Sequence, residues 1–529
     1  MSRTIIVSNR LPTKVQRTDD DLAFTPSEGG LATGLGSIYR AEGNVWIGWP
    51  GLVADDETER QQITTKLQAD SMQPVFLNDD EIKGFYEGFS NETLWPTFHY
   101  FSQYAVYNEQ HWETYVAVNQ KFCDAVLEAA GDDDTIWVHD YQLLLLPQML
   151  RKARPHSTIG FFLHIPFPSY ELLRALPWRT QLLEGMLGAD LIGFHTFGYM
   201  RHFLSSVSQL LGYPSQNGRL ELKNRTVLID AFPMGIDYER YANAAASEVA
   251  QEHEQNYLAA LPNARIILSI DRLDYTKGIR HRLKAYEELL KDGSLDGADT
   301  TFIQIATPSR ERIDAYIDLR EHVEGAVGRI NGNYSAIGSP AMEYLHQGYG
   351  REELAALFLA ADVMVVTPLR DGMNLVAKEY ISCRHDNGGA LLLSEFTGAA
   401  EELREAFMVN PHDVIGLKRT IMDAINSSPQ ERSRRMKALR RRVRRNDVQH
   451  WASAFLDALE AAPHKPSRHG PQTEQAQRRE QEERAQREED ARGAQSAREA
   501  ERRSEREERD ERDERDERDG NGRDGKDGR

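Results

Sequence analysis

The tightest constraint on this chain is an alternation. From residue 4 to residue 394, short β-branched runs take turns with segments of helical period, the pattern of βα units and parallel sheets. Strands are predicted at 4–8, 44–47, 135–139, 158–164, 191–195 and 227–231 in the first half. The second half adds 265–270, 301–306, 363–367 and 390–394. Helices are predicted at 112–130, 170–187, 278–290 and 351–360. At 529 residues the chain is too long for one core. The reading is therefore α/β, with two doubly wound Rossmann-like domains joined near residues 235–262 and facing a central cleft. The first spans 1–240 and the second 241–450, and 451–462 closes the body as a helix packing back on the first domain. Ligands of such sheets bind at the carboxyl ends of the strands, in the cleft.

Composition breaks sharply near Ala462. Residues 463–529 hold almost nothing apolar and end in the repeat Glu511-Arg512-Asp513-Glu514-Arg515-Asp516. Such a segment cannot bury a core, so a mostly disordered charged tail is expected. The tail is near charge balance, so the net charge of −19 belongs to the body. That sign argues against nucleic acid as the main partner. The apolar run at 4–8 is far too short for the core of a signal peptide, and no run approaches the roughly 18 apolar residues of a membrane span. The only cysteines, Cys123 and Cys383, stand far apart without metal-ligand spacing, which suits a reducing cytoplasm.

Polar residues with chemical potential cluster where strands end. Ser8-Asn9-Arg10 sets a cation at the end of the first strand. Gly29-Gly30 precede a helical stretch, where backbone N–H groups can approach a phosphate. The segment from Phe85 through Tyr86, Trp95 and Tyr100 is rich in aromatics and reads as a loop-like, sugar-stacking wall; a plain hydrophobic cluster would look the same. His139-Asp140-Tyr141 and His164-Ile165-Pro166-Phe167-Pro168 put a carboxylate and an imidazole at two more strand ends. In the second half, Asp271-Arg272-Leu273-Asp274-Tyr275-Thr276-Lys277-Gly278 runs from a strand into a helix, so Arg272 and Lys277 can face one pyrophosphate. Thr307-Pro308-Ser309-Arg310 is another cationic strand end. Arg370-Asp371-Gly372-Met373-Asn374-Leu375-Val376-Ala377-Lys378-Glu379 offers amides and one carboxylate around a sugar diphosphate, with a second carboxylate for ribose hydroxyls.

As an ordered set, these motifs resemble the trehalose-6-phosphate synthases, a retaining glycosyltransferase family of GT-B fold, over about residues 4–451. The resemblance implies transfer of glucose from a nucleotide-glucose, UDP-glucose by default, to glucose 6-phosphate. It places Arg10, Trp49, Tyr86, Trp95, Asp140 and Arg310 around the acceptor, with Arg10, Tyr86 and Arg310 on its phosphate. It places Gly29, Gly30, His164, Arg272, Lys277, Asp371, Gly372, Met373, Asn374, Leu375, Val376 and Glu379 at the donor, with Arg272, Lys277, Asp371 and His164 as the catalytic set. Glu28 departs from the small residue common before the glycine pair, and residues 11–27 are longer than in short bacterial members.

The implied chemistry is front-face attack with no metal or other cofactor. The acceptor hydroxyl arrives on the side from which the nucleotide leaves, and Arg272 and Lys277 stabilise the departing diphosphate. A different phosphorylated acceptor, such as glycerol 3-phosphate, is the nearest rival, and a non-catalytic regulatory relative the other. No phosphatase domain fits after Trp451, so a separate trehalose-phosphate phosphatase is expected. The oligomeric state is left open.

Overall fold

A computed structural model describes residues 3–18, 21–27, 35–36, 39, 43–261 and 265–463. The predicted tail, apart from Pro463, and the predicted Gly29-Gly30 phosphate loop with Glu28 lie outside the described residues.

Two sheets carry the body. The first-half strands are β1 (Thr4–Arg10), β2 (Thr13–Arg17), β3 (Leu22–Pro26), β4 (Val45–Trp49), β5 (Met72–Pro74) and β6 (Thr135–His139). They continue with β7 (Thr158–Phe162), β8 (Leu191–Phe194), β9 (Ser215–Gln216), β10 (Arg219–Leu222) and β11 (Arg225–Ala231). All but β2 and β3 form one sheet in the order β5-β4-β1-β6-β7-β8-β11-β10-β9. It is parallel from β5 to β11, with β10 and β9 added antiparallel. The second-half strands are β12 (Arg265–Arg272), β13 (Thr300–Thr307), β14 (Met342–Leu345), β15 (Val363–Val366), β16 (Ala390–Ser394) and β17 (Phe407–Val409). Their order is β14-β13-β12-β15-β16-β17, all parallel. Both are doubly wound sheets whose strand order reverses beside the first strand, between β1 and β6 and between β12 and β15. Crevices open at those reversals.

The central strands are buried on both faces, which is why they read as largely apolar runs and not as alternating ones. Ile5, Ile6 and Val7 of β1 and Leu391, Leu392 and Leu393 of β16 are all closed to solvent. The helix Val448–Glu460 packs on the first sheet, not the second. Its Phe455 ring stacks on Trp137 of β6 at 4.7 Å, and Trp451 lies 5.3 Å from the same ring.

Three predictions need correction. The aromatic stretch read as loop-like is helical, as the π-wound segment Ile82–Leu94 followed by Trp95–Phe98. Its Pro96, an ordinary loop signal, stands in the first turn of Trp95–Phe98, where its missing N–H costs little, and Gly88 is a point of close approach, where a Cβ would lie 2.4 Å from the His111 ring of the neighbouring helix Glu109–Ala129. The predicted helix at 170–187 is two, Tyr170–Leu173 and Arg179–Met186, divided at a segment containing Pro177. The predicted joint at 235–262 is mostly the helices Tyr238–Ala245 and Glu248–Ala260, whose buried Tyr238, Ala245 and Ala250 belong to a core of the second sheet. Within the extra residues 11–27, β2 and β3 pair antiparallel, and the Ser27 N–H donates to the Pro12 carbonyl at 2.7 Å at their open end.

Candidate active site

A cleft cavity of about 330 Å³ opens where the two crevices meet. From the first sheet, β1 delivers Arg10, β6 is followed by Asp140, and β7 is followed by His164; the helical aromatic segment adds Tyr86 and Trp95. From the second sheet, Arg272 ends β12, Lys277 follows it, Arg310 follows β13, and Asp371-Gly372 follow β15. Ten residues singled out in the sequence thus share one cavity, although they come from seven separate stretches of chain.

The charges do not cancel. Lys277 Nζ donates to Asp371 Oδ2 at 2.5 Å, and Arg310 donates to Asp274 Oδ2 at 2.9 Å. Among the described residues neither Arg10 nor Arg272 has a carboxylate partner. The Arg10 guanidinium lies 4.4 Å from the Trp49 ring centroid, and Arg272 lies 5.5 Å from that of Trp95. Tyr86 registers the surplus. Burial resists its ionisation, yet Arg310, Arg10 and Arg272 together pull its hydroxyl below the usual tyrosine range. A chain of net charge −19 therefore keeps a cationic cleft, the field an anionic substrate would follow.

The carboxylates differ in state. Burial pushes Asp140 up to about 7, against the Tyr141 and His164 backbone N–H groups and the charges of Arg272 and Arg310. Its backbone sits at φ 75°, a conformation rare outside glycine, and its Oδ1 accepts from the His164 N–H at 3.2 Å. Burial also opposes ionisation of Asp371, but the Lys277 charge and the Lys277 and Asn374 hydrogen bonds hold it below the usual range. Asp274, buried under Arg310, Arg272 and Lys277, is held at about 2. His164 is neutral, because burial and the neighbouring His195 drive its pKa far down; its ring shares a hydrogen with His139 at 3.1 Å. Its imidazole is thus engaged at the floor of the cleft.

Other predicted residues stand behind the cavity wall. Trp49 supports Arg10 from below, 6.4 Å from the Tyr86 ring. Asn374 caps the helix Leu375–Cys383 by accepting from the Ala377 N–H at 3.2 Å, and it also donates to Asp371 Oδ2 at 3.2 Å. Met373 is buried. Leu375, Val376 and Glu379 lie along that helix, outside the cavity lining. Glu379 accepts from the Tyr241 hydroxyl at 3.0 Å, and burial pushes its carboxyl up to about 7. Gly372 sits so close to the first domain that a Cβ would lie 2.1 Å from the His164 carbonyl oxygen, so any larger residue would pry the two halves apart.

Sequence reasoning assigned no role to Tyr141, Gln142 or His99, which also line the cavity. The Tyr141 hydroxyl accepts from Arg310 at 3.2 Å and donates to Asn91 at 2.8 Å. The His99 ring stacks on Trp95 with centroids 4.0 Å apart, and its Nδ1 bonds the Trp95 carbonyl at 2.8 Å. Burial pushes His99 down to about 3, so Nδ1 carries the hydrogen and Nε2 is left as an acceptor. Both Tyr141 and His99 stood inside quoted motifs; what was missing was the knowledge of which way each side chain turns.

The sequence model for glycosyltransferase family 20 matches residues 2–461. The chain belongs to glycosyltransferase family 20. A family relative, the trehalose-6-phosphate synthase of Mycolicibacterium vanbaalenii, is 48% identical over 468 residues, covering 86% of this chain and 95% of its own. Among solved structures, an alpha,alpha-trehalose-phosphate synthase (UDP-forming) from Burkholderia xenovorans in complex with glucose-6-phosphate superposes with a TM-score of 0.78. It is 35% identical and covers 87% of this chain and 100% of its own. A structure from E. coli bound with UDP-2-fluoro glucose gives a TM-score of 0.79 at 35% identity, covering 87% and 99%. The doubly wound pair of sheets is thus the GT-B architecture of this family.

Proposed function

We propose that this chain transfers glucose, with retention, from a nucleotide-glucose to glucose 6-phosphate, giving α,α-trehalose 6-phosphate and a nucleoside diphosphate. The observation that carries the reading is the convergence of Arg10, Arg272, Arg310 and Lys277 on one cavity at the crevices of both sheets. Two anionic substrates meeting head to head need such a distribution: cations for a phosphomonoester and cations for a diphosphate. The Burkholderia structure with its sugar phosphate and the E. coli structure with its nucleotide sugar support the same pairing, and UDP is the expected nucleotide.

Arg10, Tyr86 and Arg310, with Tyr141 beside them, hold the acceptor phosphate, and Trp95, which carries Arg310 over its ring at 3.9 Å, lines the same pocket. Asp140, at the mouth of β6, orients acceptor hydroxyls. Asp371 holds donor glucose hydroxyls, and Glu379 is the ribose ligand. The acceptor hydroxyl attacks the donor's anomeric carbon on the face from which the diphosphate departs, and the departing phosphate oxygen takes its proton. His164 acts through its neutral, fixed placement and not as an acid. Arg272 and Lys277 meet the charge developing on the leaving group, where preorganised cations contribute most. They supply that charge in place of a metal ion. The phosphomonoester of the product is left for a separate phosphatase.

The test is a panel. Purified full-length chain is offered UDP-, GDP- and ADP-glucose against glucose 6-phosphate and glycerol 3-phosphate, with and without chelator. The expected outcome is trehalose 6-phosphate from UDP-glucose and glucose 6-phosphate, unchanged by chelator. Product only with glycerol 3-phosphate, or loss of turnover on chelation, overturns the acceptor or the metal-free assignment respectively.

A further inference from the structure

A second cavity, of about 540 Å³, lies on the second domain. Two helices and a loop build it. The helix Ile279–Lys291 contributes Arg280, His281 and Lys284, the helix Asp314–Tyr334 contributes His322 and Arg329, and His412 comes from the turn before the helix Val414–Asn426. Spacing makes this face: 280, 284 and 287 recur at i, i+4 and i+7 on one helix, and 322, 326 and 329 do so on the other.

The balance of charge is unusual for this protein. One carboxylate, Glu287, lines the cavity, and Arg329 occupies both its oxygens with bonds of 2.9 and 3.1 Å. Among the described residues Arg280 and Lys284 have no carboxylate partner; Arg280 makes one long bond, 3.5 Å, to the Asp318 carbonyl. The imidazoles feel the surplus. Burial lowers the pKa of His281, and His412, Arg280 and Lys284 lower it further; burial, Arg280 and Arg329 do the same at His322. The His281 Nδ1 is closed to solvent and has no hydrogen-bond partner among the described residues, while its ring meets His412 edge-on at 5.5 Å. Like charges crowd here, and among the described residues Arg280 and Lys284 have no counter-charge, a deficit that an anion with several acceptor oxygens answers.

We infer that this groove is a second anion site, which takes a small phosphate-bearing molecule between Arg280, Lys284 and the imidazoles. The groove shares its helix with the catalytic cleft. Lys277 precedes the first turn, and Arg282, one residue beyond His281, is buried and binds Asp271, Gln304 and Thr367 beneath the cleft. The ligand would therefore rest on the turn that positions the leaving-group cation. The inference does not depend on which reaction the cleft performs.

The experiment is a melting comparison of the full chain in inorganic phosphate, and in a sugar phosphate, against chloride at equal ionic strength. Three proteins are needed: wild type, the doubly substituted Arg280→Ala/Lys284→Ala, and Arg10→Ala/Arg272→Ala, which removes the two unpaired cations of the cleft. A ligand that binds only the folded state raises the melting point. The expected result with inorganic phosphate is a rise that persists in the cleft variant, where only the groove keeps its cations without carboxylate partners, and is smaller in Arg280→Ala/Lys284→Ala than in wild type. That variant should fold normally, because Arg280 and Lys284 are solvent-exposed. A rise in the cleft variant with the sugar phosphate and not with inorganic phosphate, together with a smaller sugar-phosphate rise in Arg280→Ala/Lys284→Ala than in wild type, identifies the larger ester as the ligand. A rise that survives in Arg280→Ala/Lys284→Ala and vanishes in the cleft variant assigns all binding to the cleft and overturns the inference, as does no rise with either anion.

Discussion

Arg272→Ala and Lys277→Ala each remove one positive charge from the same cleft, yet their consequences should differ. Arg272 is exposed to the cleft and has no carboxylate partner among the described residues, so its loss breaks no ion pair, and stability should stay within about 0.5 kcal/mol of wild type. Its loss from the transition state should add about 2.7–4 kcal/mol to the barrier, about 10²–10³ in kcat. Lys277 is clamped to Asp371 at 2.5 Å, with the two side chains only 11% and 13% exposed. Removing it forfeits the same catalytic charge and also strands a recessed carboxylate. Breaking a buried pair costs about 3–5 kcal/mol, and the residual exposure puts this one near the lower end, about 3 kcal/mol. With unfolding entropy of about 2.1 cal/mol/K per residue over a body of roughly 460 residues, that is a fall of about 3 °C in melting midpoint. Adding Asp371→Asn to Lys277→Ala removes the stranded charge, so the double variant should regain most of the midpoint and none of the turnover. Initial rates at saturating substrates, with calorimetry on the same preparations, test both halves. Turnover of Arg272→Ala within tenfold of wild type would refute the leaving-group role. A Lys277→Ala midpoint equal to that of Arg272→Ala would refute the structural half.

Glu379 and Asp140 both have folded pKa values raised by burial to about 7. Their contribution to stability is full below the ordinary carboxylate range and is lost as pH rises through 7, so Glu379→Gln and Asp140→Asn should each flatten the fall in urea midpoint between about pH 4 and 7. If ionised Glu379 holds ribose hydroxyls, kcat/KM for the donor rises through pH 7 in wild type and is flat in Glu379→Gln. His99→Phe keeps a ring against Trp95 but loses the acceptor Nε2; the expected cost is about 0.5–1.5 kcal/mol, up to about tenfold in one sugar substrate's KM with little change in melting. Equal KM values for both substrates would show that Nε2 meets neither. Phe455→Ala empties a fully buried position against Trp137 and should cost about 3–5 kcal/mol by urea denaturation, with the loss in stability and not in KM.

Much of this was legible because buried parallel strands announce themselves. The central strands β1, β6, β7, β8, β15 and β16 are apolar runs, β12 and β13 are apolar but for buried Ser269 and Gln304, and polar residues end them where the crevices open. The edges were silent. β5, β9, β14 and β17 are two to four residues long, too short for periodicity to register. The helical aromatic segment was hidden because Pro96 reads as a loop signal, and its place in the first turn of a helix shows only in three dimensions. Within the site, residue types at strand ends named Arg10, Asp140, Arg272, Lys277 and Asp371 without any structure. Sequence could not supply pairing. That Asp274 holds Arg310, that Asp371 holds Lys277, and that Arg272 has no carboxylate partner among the described residues are facts of three-dimensional geometry, and they decide which substitution breaks an ion pair.

The cleft is pinned shut by direct bonds between the halves. The Tyr199 hydroxyl donates to the Asp371 carbonyl at 3.0 Å, Arg370 donates to the Phe167 carbonyl at 3.4 Å, and Arg310 donates to the Tyr141 hydroxyl at 3.2 Å. Where the chain crosses between domains, the Val448 N–H donates to the Ile236 carbonyl at 3.1 Å, so the outgoing and returning strands of chain are tied to each other. Buried Lys378 donates to the Met234 carbonyl at 2.7 Å, and its partner Glu402 accepts from Asn446 at 2.9 Å, fixing the second domain to both crossings. The proposed acceptor pocket straddles this joint. Arg10, Tyr86 and Trp95 belong to the first domain, and Arg310 reaches over from the second, 3.9 Å above the Trp95 ring. Neither half holds all the cations a phosphorylated sugar would need. The affinity for that ligand must then contain the free energy of bringing the halves together, and a ligand that binds only the closed arrangement shifts the domains toward it by its differential affinity. Since Lys277 and Asp371 ride on the same second domain as Arg310, an acceptor gripped by Arg310 as proposed would also bring the proposed leaving-group cation into place.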